Sequence, residues 1–110
     1  MADEQRGLRL KLQRSGWFDG RRVDGSQFED ERGDLAWHIK TWPDSGDPIE
    51  DYWVEGGEFY EVVELQSAMD DSALNRIETG RRITGIDPAK RTGILNAIAA
   101  WEKSAETEAP

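Results

Sequence analysis

Two stretches of the chain alternate between apolar and polar residues with a period of two, the pattern of a half-buried β-strand. In Gly7–Arg14, the leucines at positions 8, 10 and 12 alternate with polar residues. In Leu35–Trp42, one side carries Leu35, Trp37 and Ile39, and the other side carries His38 and Lys40 among others. The pattern predicts two strands, each with one face directed at a core.

Turn signals divide the region between these two predicted strands. The dipeptides Asp19–Gly20 and Asp24–Gly25 are typical of turns. The short segment between them, Arg21–Val23, is then a minor strand or a loop edge, and Phe28–Asp34 is a charged turn. We expect Trp17–Phe18 to act as a hydrophobic plug after the first strand.

The stretch Ile49–Gln66 fits two structures. A hairpin that turns on Gly56–Gly57 agrees with its β-branched and aromatic content and is the structure we favour. A helix from Glu58, with acidic residues at a spacing of three on its outer side, is the alternative. The hairpin predicts two cross-strand pairs, Trp53 with Tyr60 and Val54 with Phe59.

The C-terminal third contains helical patterns. Ser67–Thr79 is predicted as one helix that stops at Gly80, which is a plausible C-terminal residue. Asp87–Pro88 predicts the start of a second helix, with aspartate as the N-cap and proline at the first helical position. Its apolar stripe comprises Ile94, Leu95, Ile98 and Trp101. We expect Trp101 to pack on either the leucine stripe of the first strand or the Leu35/Trp37/Ile39 stripe.

Strands first and helices last indicate an α+β fold. We predict an antiparallel sheet of about four or five strands, formed by the N-terminal two-thirds and packed by one or two C-terminal helices. The length of 110 residues fits a single domain spanning residues 1–110. The polar ends, at about residues 1–6 and 105–110, are expected to be frayed.

Composition excludes several kinds of site. The chain has no cysteine, so disulfides, thiolate catalysis and cysteine-based metal sites are excluded. No segment has the roughly 20 apolar residues that span a bilayer, and the polar N-terminus does not resemble a signal peptide. We therefore expect a cytoplasmic protein that needs no membrane.

Charge is distributed very unevenly. Residues 41–75 contain ten carboxylates and no lysine or arginine, residues 1–40 carry eight acids and eight bases, and residues 76–110 carry five acids and six bases. The net charge of −9 therefore comes from the middle third of the chain, residues 41–75, which we call the acidic segment. Such a balance argues against direct binding to nucleic acid, which normally requires a basic surface.

Candidate catalytic and ligand sites are weak. Gly80–Gly85 has the first spacing of a phosphate-binding loop, but Ile86 and Asp87 stand where lysine and a hydroxyl residue are needed. His38 is the only histidine, so nucleophile–base chemistry would have to be built around it. The acids around Asp44 do not have the spacing of a calcium-binding loop. We expect no enzyme, no cofactor and no metal site.

The acidic segment instead suggests a protein interface, because tyrosine and tryptophan, which are enriched at interface hot spots, are interleaved with its acids. The expected partner is a basic protein, such as a nuclease or another nucleic-acid-binding protein, and the chain would act as an inhibitor or as an immunity or anti-defence protein that mimics nucleic acid. The alternative is a structural or assembly subunit, such as a virion component; the sequence leaves the oligomeric state open. The predicted interface residues are Asp44, Asp47, Glu50, Asp51, Tyr52, Trp53, Glu55, Glu58, Tyr60, Glu61 and Glu64.

Overall fold

The computed structural model describes residues 6–18, 21–42, 49–66 and 75–108. These residues form six antiparallel strands and one C-terminal helix, which confirms the predicted α+β fold with one strand more than expected. The elements are β1 (Arg6–Phe18), β2 (Arg21–Asp30), β3 (Leu35–Trp42), β4 (Glu50–Glu55), β5 (Glu58–Gln66), β6 (Asn75–Ile83) and α1 (Pro88–Glu108).

The strands are ordered along the sheet as they are along the chain, and the sheet closes into a barrel. Each strand pairs antiparallel with the next one, so the topology is up-and-down. Three pairs close the barrel between β1 and β6: Arg6 with Ile77, Gly7 with Arg76, and Leu8 with Asn75. Closure of this kind removes the exposed edges that an open sheet would present.

Alternation along the strands creates two apolar clusters, one on each face of the sheet. We call the first face, on which α1 packs, the helix-covered face; its buried strand residues are Val23, Trp37, Ile39, Tyr52, Val54 and Phe59. We call the second the opposite face; its buried residues are Leu8, Phe28, Ala36 and Trp53. Because both faces bury apolar residues, the strands carry a core on each side.

Helix α1 crosses the sheet and is anchored at both ends. It begins where predicted, since the Asp87 carboxylate accepts a hydrogen bond from the backbone N–H of Lys90 at 3.2 Å. Near this end, Arg91 donates to the carbonyl oxygen of Gly57 at 2.8 Å. Toward the other end, Trp101 packs on Trp37 with ring centroids 5.4 Å apart, which confirms the second of its two predicted positions.

Several strand predictions are confirmed. The predicted strand Leu35–Trp42 coincides with β3. The hairpin turns on Gly56–Gly57, whose positive φ values of 59° and 80° suit glycine. Its register pairs Trp53 with Tyr60 and Val54 with Phe59, as the hairpin hypothesis required, and the helical alternative for this stretch is wrong.

The turn predicted at Asp24–Gly25 is wrong, because both residues lie in the middle of β2. A Cβ atom at Gly25 would lie 2.5 Å from the Trp101 ring and 3.1 Å from Trp37. Glycine at this position therefore makes room for the helix rather than for a turn. Strand β2 also continues through Asp30, so the charged turn is shorter than the predicted Phe28–Asp34. The turn predicted at Asp19–Gly20 lies outside the described residues.

The helix predicted over Ser67–Thr79 is wrong where the structure describes it, since Asn75–Ile83 forms β6. Residues 67–74 lie outside the described part of the chain. At the C-terminus, α1 extends to Glu108, into the segment where we expected a frayed tail.

Two expectations for β1 are also corrected. The register with β2 shifts between Leu10 and Leu12, so the three leucines do not form one stripe: Leu8 and Leu10 lie on the opposite face, and Leu12 packs against the cluster of the helix-covered face. On the opposite face, Leu8 is 1% exposed and Leu10 is 41% exposed. Trp17 is 75% exposed, so it does not act as a hydrophobic plug. The physical reason is the irregularity in β1, which changes the face that each later residue occupies.

Candidate interaction site

The structure places the predicted interface residues in different environments. Asp44 and Asp47 lie outside the described residues. Glu64 lies in β5 opposite Glu78 of β6, and its side chain is not among those described. The described members occupy β4 and β5, on both sides of the hairpin turn.

Glu50 is bound to the helix. Its carboxylate accepts a hydrogen bond from the Lys90 ammonium at 2.6 Å and one from the Thr41 hydroxyl at 3.3 Å. The bond from Lys90 is the main reason that the pKa of Glu50 lies below its ordinary value. Glu50 therefore helps to hold α1 against β4, and its charge is partly neutralised within the molecule.

Asp51 pairs with the only histidine. Its Oδ1 lies 2.9 Å from His38 Nε2, and the His38 side chain is only 14% exposed. Burial lowers the pKa of His38 below its ordinary value of 6.5, and the hydrogen bond to Asp51 opposes this shift without cancelling it. His38 is thus a largely buried histidine of β3, which is paired with β2 on one side and with β4 on the other.

The other acids of the hairpin whose side chains the structure describes also have partners inside the molecule. Glu55 accepts a hydrogen bond from the Trp53 indole at 3.1 Å. Glu58 lies 3.7 Å from Arg82, and Glu61 accepts from the backbone N–H of Arg81 at 3.3 Å. Lys90 and Arg82 thus supply counter-charges that the acidic segment lacks in its own sequence.

The aromatic residues of the predicted interface are mostly core residues. Trp53 is fully buried and Tyr52 is 8% exposed. Burial raises the pKa of Tyr52 to about 12, with a further contribution from Glu50. Tyr60 is half-buried against the cluster of the opposite face. Neither Tyr52 nor Trp53 is accessible to a partner in this structure.

Register separates the described interface residues by face. Because β4 pairs with β5 through Trp53 and Tyr60, side chains at alternate positions share the opposite face. This face carries Asp51, Trp53, Glu55, Glu58 and Tyr60. Glu50 and Tyr52 lie on the helix-covered face, where Glu50 meets α1. The predicted set is therefore not one continuous surface.

Sequence reasoning missed a polar cluster at the start of β2 and the end of β3. Asp24 accepts hydrogen bonds from Ser15 at 2.7 Å, from Arg22 at 3.1 Å and from the Trp42 indole at 2.9 Å. Arg22 and Lys40 lie over the Trp42 ring, 5.7 and 5.5 Å from its centroid. We call these five residues the Trp42 cluster.

Burial raises the pKa of Asp24, but hydrogen bonds from Ser15, Arg22 and Trp42 outweigh it and leave the pKa below its ordinary value. Asp24 is therefore held as a carboxylate that fixes its neighbours. The sequence signal for this cluster is the alternation that puts Arg22, Asp24 and Ser26 on one side of a strand. The turn predicted at Asp24–Gly25 hid this pattern.

Among the described residues, no group of three or more histidine, aspartate or glutamate side chains could hold a metal ion. Within the same part of the chain, no helix has the length and apolar character needed to cross a membrane.

Comparisons with known proteins give no match. No protein-family model matches the sequence, and no curated protein and no solved structure is significantly similar to it.

Proposed function

We propose that the protein is a small cytoplasmic binding module that docks an acidic surface on a basic protein of the nucleic-acid-handling class. Its function would be that of an inhibitor, such as an immunity or anti-defence protein, which occupies a surface that otherwise receives nucleic acid. The observation that carries the proposal is the acidic segment, with ten carboxylates and no lysine or arginine in residues 41–75. Charge of one sign speeds encounter with a surface of the opposite sign.

The rigid β4–β5 hairpin supports the proposal. The side chains of Asp51 and Glu58 are 41% and 45% exposed, and Glu61 is exposed as well. Pairing of β4 with β3 and of β5 with β6 holds the strands that carry these side chains, so little backbone entropy is lost when a partner binds. Glu50 is left out of the proposed surface, because its carboxylate is bound to Lys90 and holds α1 against β4.

A charge-matched pair of variants tests the proposal. The test variant combines Asp47→Asn, Glu58→Gln and Glu61→Gln, and the control variant combines Glu31→Gln, Asp34→Asn and Glu106→Gln at exposed positions outside the acidic segment. Both remove three negative charges and leave Glu50 and Asp51 in place. Binding is measured against a panel of purified basic nucleases, with lysozyme as a basic protein of another class, at about 50 and about 500 mM salt.

We expect at least one nuclease to bind the wild type and the control variant, with binding lost in the test variant and at high salt. The nuclease should also cleave DNA more slowly when bound. Equal weakening by both variants would show that only net charge matters. Binding to lysozyme as tight as to the nuclease would contradict the proposed class of partner.

A second candidate function, a structural or assembly subunit, is favoured by exposed apolar side chains. Trp17 is 75% exposed and Val63 is 59% exposed, and subunit contacts commonly bury such residues. Size-exclusion chromatography with light scattering separates the two functions. A closed oligomer or a filament of the chain alone supports the assembly subunit, and a monomer supports the binding module.

A further inference from the structure

Strand β1 has a long edge that no described strand covers. It pairs with β2 from Leu8 to Phe18, but on its other side it pairs with β6 only from Arg6 to Leu8. Barrel closure therefore covers the first residues of β1, and residues 9–18 continue past it without a described neighbour on that side. The backbone N–H and C=O groups directed away from β2 form a template on which another strand can pair. We call residues 9–18 on this side the open edge.

The exposure of β1 agrees with an open edge. Every residue from 9 to 17 is exposed or half-buried, whereas the neighbouring strand β2 has buried positions along its length. Helix α1 contacts β1 through the Trp101 ring, which lies 3.5 Å from the position of a Cβ atom on Gly16. Because a Cβ atom projects from the face of a sheet, this contact is made on the face of β1 rather than on its edge.

Two exposed apolar side chains lie along the open edge on the opposite face. Leu10 is 41% exposed and lies opposite Phe28, and Trp17 is 75% exposed and lies opposite Arg22. A strand added beside β1 would place side chains next to these two, with directly opposed Cβ atoms about 4.5–5.5 Å apart. Apolar residues at alternate positions of the added strand would therefore remove Leu10 and Trp17 from water.

The open edge lies in the basic part of the sheet. Strand β1 contains four bases and no acid, β2 contains two bases and three acids, and β6 contains three bases and one acid. These adjacent strands thus carry an excess of positive charge, although the chain as a whole has a net charge of −9. At a salt concentration of about 150 mM, charges more than about 8 Å away are largely screened. The bases of the edge itself therefore determine which segment is attracted.

The same bases decide between a second copy of the chain and an acidic segment. Two copies paired through β1 would bring the bases of one strand against those of the other, and like charges directly opposite each other are destabilising. Basic side chains on edge strands commonly prevent such pairing. Arg9 and Arg14 both lie on the helix-covered face, opposite Glu29 and Gly25. Carboxylates at alternate positions of an added strand would lie beside these two arginines.

We propose that the open edge of β1 binds an extended segment of a partner protein by strand addition, and that this segment alternates acidic with apolar residues. Backbone hydrogen bonds supply affinity in this mode of binding, and alternate side chains supply specificity. The surface is separate from the β4–β5 hairpin, so the proposal goes beyond the proposed function and does not depend on it.

Amide hydrogen exchange of the full chain, followed by NMR, tests the proposal. The probe is a synthetic peptide of about nine residues that alternates glutamate with valine, the glutamate peptide. Alternate amides of β1 already bond to β2 and serve as an internal reference. At about 50 mM salt and a peptide concentration of about ten times its Kd, exchange of the other amides in residues 9–18 should slow about tenfold.

Three comparison probes define the occupant. A lysine peptide, in which lysine replaces glutamate, and octathymidylate should leave the exchange of the open edge unchanged. A glutamate peptide with an N-methylated backbone cannot donate hydrogen bonds, so it should bind more weakly than the unmodified peptide.

The variant Arg9→Glu should weaken binding of the glutamate peptide about three- to tenfold, because an exposed attractive pair is replaced by a repulsive one. Arg32→Glu is the matched control, since Arg32 lies outside β1 and its side chain is 78% exposed. Its affinity should equal that of the wild type. A thermal melt checks each fold, and Arg9→Gln, which brings no second acid beside Glu29, should weaken binding in the same direction.

Several results would overturn the proposal. Slow exchange of the open edge in the free chain would show that the edge is already covered, by the chain itself if it is independent of concentration and by a second copy if it is not. Equal binding of the glutamate and lysine peptides, or of the N-methylated peptide, would refute the acidic segment or the strand addition. Protection of the edge by octathymidylate alone would assign it to nucleic acid, and equal weakening by Arg9→Glu and Arg32→Glu would remove the edge from the site.

Discussion

The two faces of the same sheet differ in what their side chains contact. On the helix-covered face, apolar side chains of the strands pack against Ile94 and Ile98 of α1, and polar side chains of the strands form hydrogen bonds to the helix. Glu102, for example, accepts hydrogen bonds from Trp37 at 3.2 Å and from Gln27 at 3.3 Å. On the opposite face, an apolar cluster around Trp53 gives way to charged groups, which bond to one another within the sheet.

The difference separates packing against a helix from pairing of polar groups within one set of strands. Because side chains alternate between faces, substitutions at neighbouring positions of a strand change contacts on different faces. The helix-covered face packs against α1, whereas Trp17 on the opposite face is 75% exposed. Substitutions of the same residue type on the two faces therefore compare a side chain packed under α1 with one exposed to solvent.

The largest expected effect is that of Trp101→Ala on the helix-covered face. Trp101 fills the space above Gly25 and packs on Trp37, so its loss leaves a cavity under α1. We expect the free energy of unfolding to fall by about 3 kcal/mol, near the low end for tryptophan truncation because the ring is partly buried. Urea denaturation measures the change, and a loss below about 1 kcal/mol would show that α1 is not held by this contact.

A pair of glycine variants sharpens the same point. Gly25→Ala places a Cβ atom 2.5 Å from Trp101, so we expect a loss of about 1–3 kcal/mol from overpacking. Gly16→Ala is the matched control, because its Cβ would lie 3.5 Å from the same ring, an ordinary contact. In the Trp101→Ala background, the cost of Gly25→Ala should fall, because only the 3.1 Å approach to Trp37 remains. Equal costs of the two glycine variants would refute the close approach.

The next effect concerns His38 on the opposite face. Burial lowers its pKa below 6.5 in the folded protein, despite the bond to Asp51, while the unfolded chain keeps the ordinary value. The unfolded state therefore binds the proton more readily, so His38 contributes stability above about pH 6.5 that is lost as the pH falls toward the folded pKa. Denaturation midpoints between about pH 5 and 7.5 should decrease on acidification less steeply in His38→Gln than in the wild type.

Asp51 and Lys40 both act on the pKa of His38, Asp51 raising it and Lys40 lowering it. A substitution of Asp51 isolates the effect of the carboxylate. Asp51→Asn removes the one group that favours the protonated histidine, and the pH dependence of stability should then be steeper than in the wild type. Parallel pH profiles of wild type and His38→Gln would show that other groups control this range.

The smallest expected effect is that of Trp17→Ala. The ring is 75% exposed, so its removal should change the free energy of unfolding by no more than about 0.5 kcal/mol. Urea denaturation beside Trp101→Ala gives the direct comparison of two tryptophans, one on each face. A loss as large as that of Trp101→Ala would show that Trp17 belongs to the core.

Local patterns predicted the elements that depend on near neighbours in sequence. The alternation of Leu35–Trp42, the glycines of the β4–β5 hairpin and the Asp87–Pro88 start of α1 all describe local preferences, and each is confirmed. The errors occur where distant contacts decide. Gly25 has the composition of a turn, and only Trp101, far away in sequence, explains its place in a strand.

Strand β6 and the candidate site show the same limit. The sequence predicts a helix over Ser67–Thr79, but pairing of β6 with β5 and β1 overrides this weak local preference. The excess of acid was visible in the sequence, whereas the counter-charges at Lys90 and Arg82 come from other elements. Which aromatic residues are exposed depends on register, which shifts within β1.

The position of α1 after all six strands has a consequence for synthesis of the chain. Ribosomes produce the strands first, so the apolar residues of the helix-covered face remain open to solvent until residues 94–101 have left the exit tunnel. During that interval the nascent sheet exposes apolar surface of the kind that chaperones bind. A premature stop before Ile94 would leave a complete sheet with one uncovered face, a species prone to aggregation and degradation.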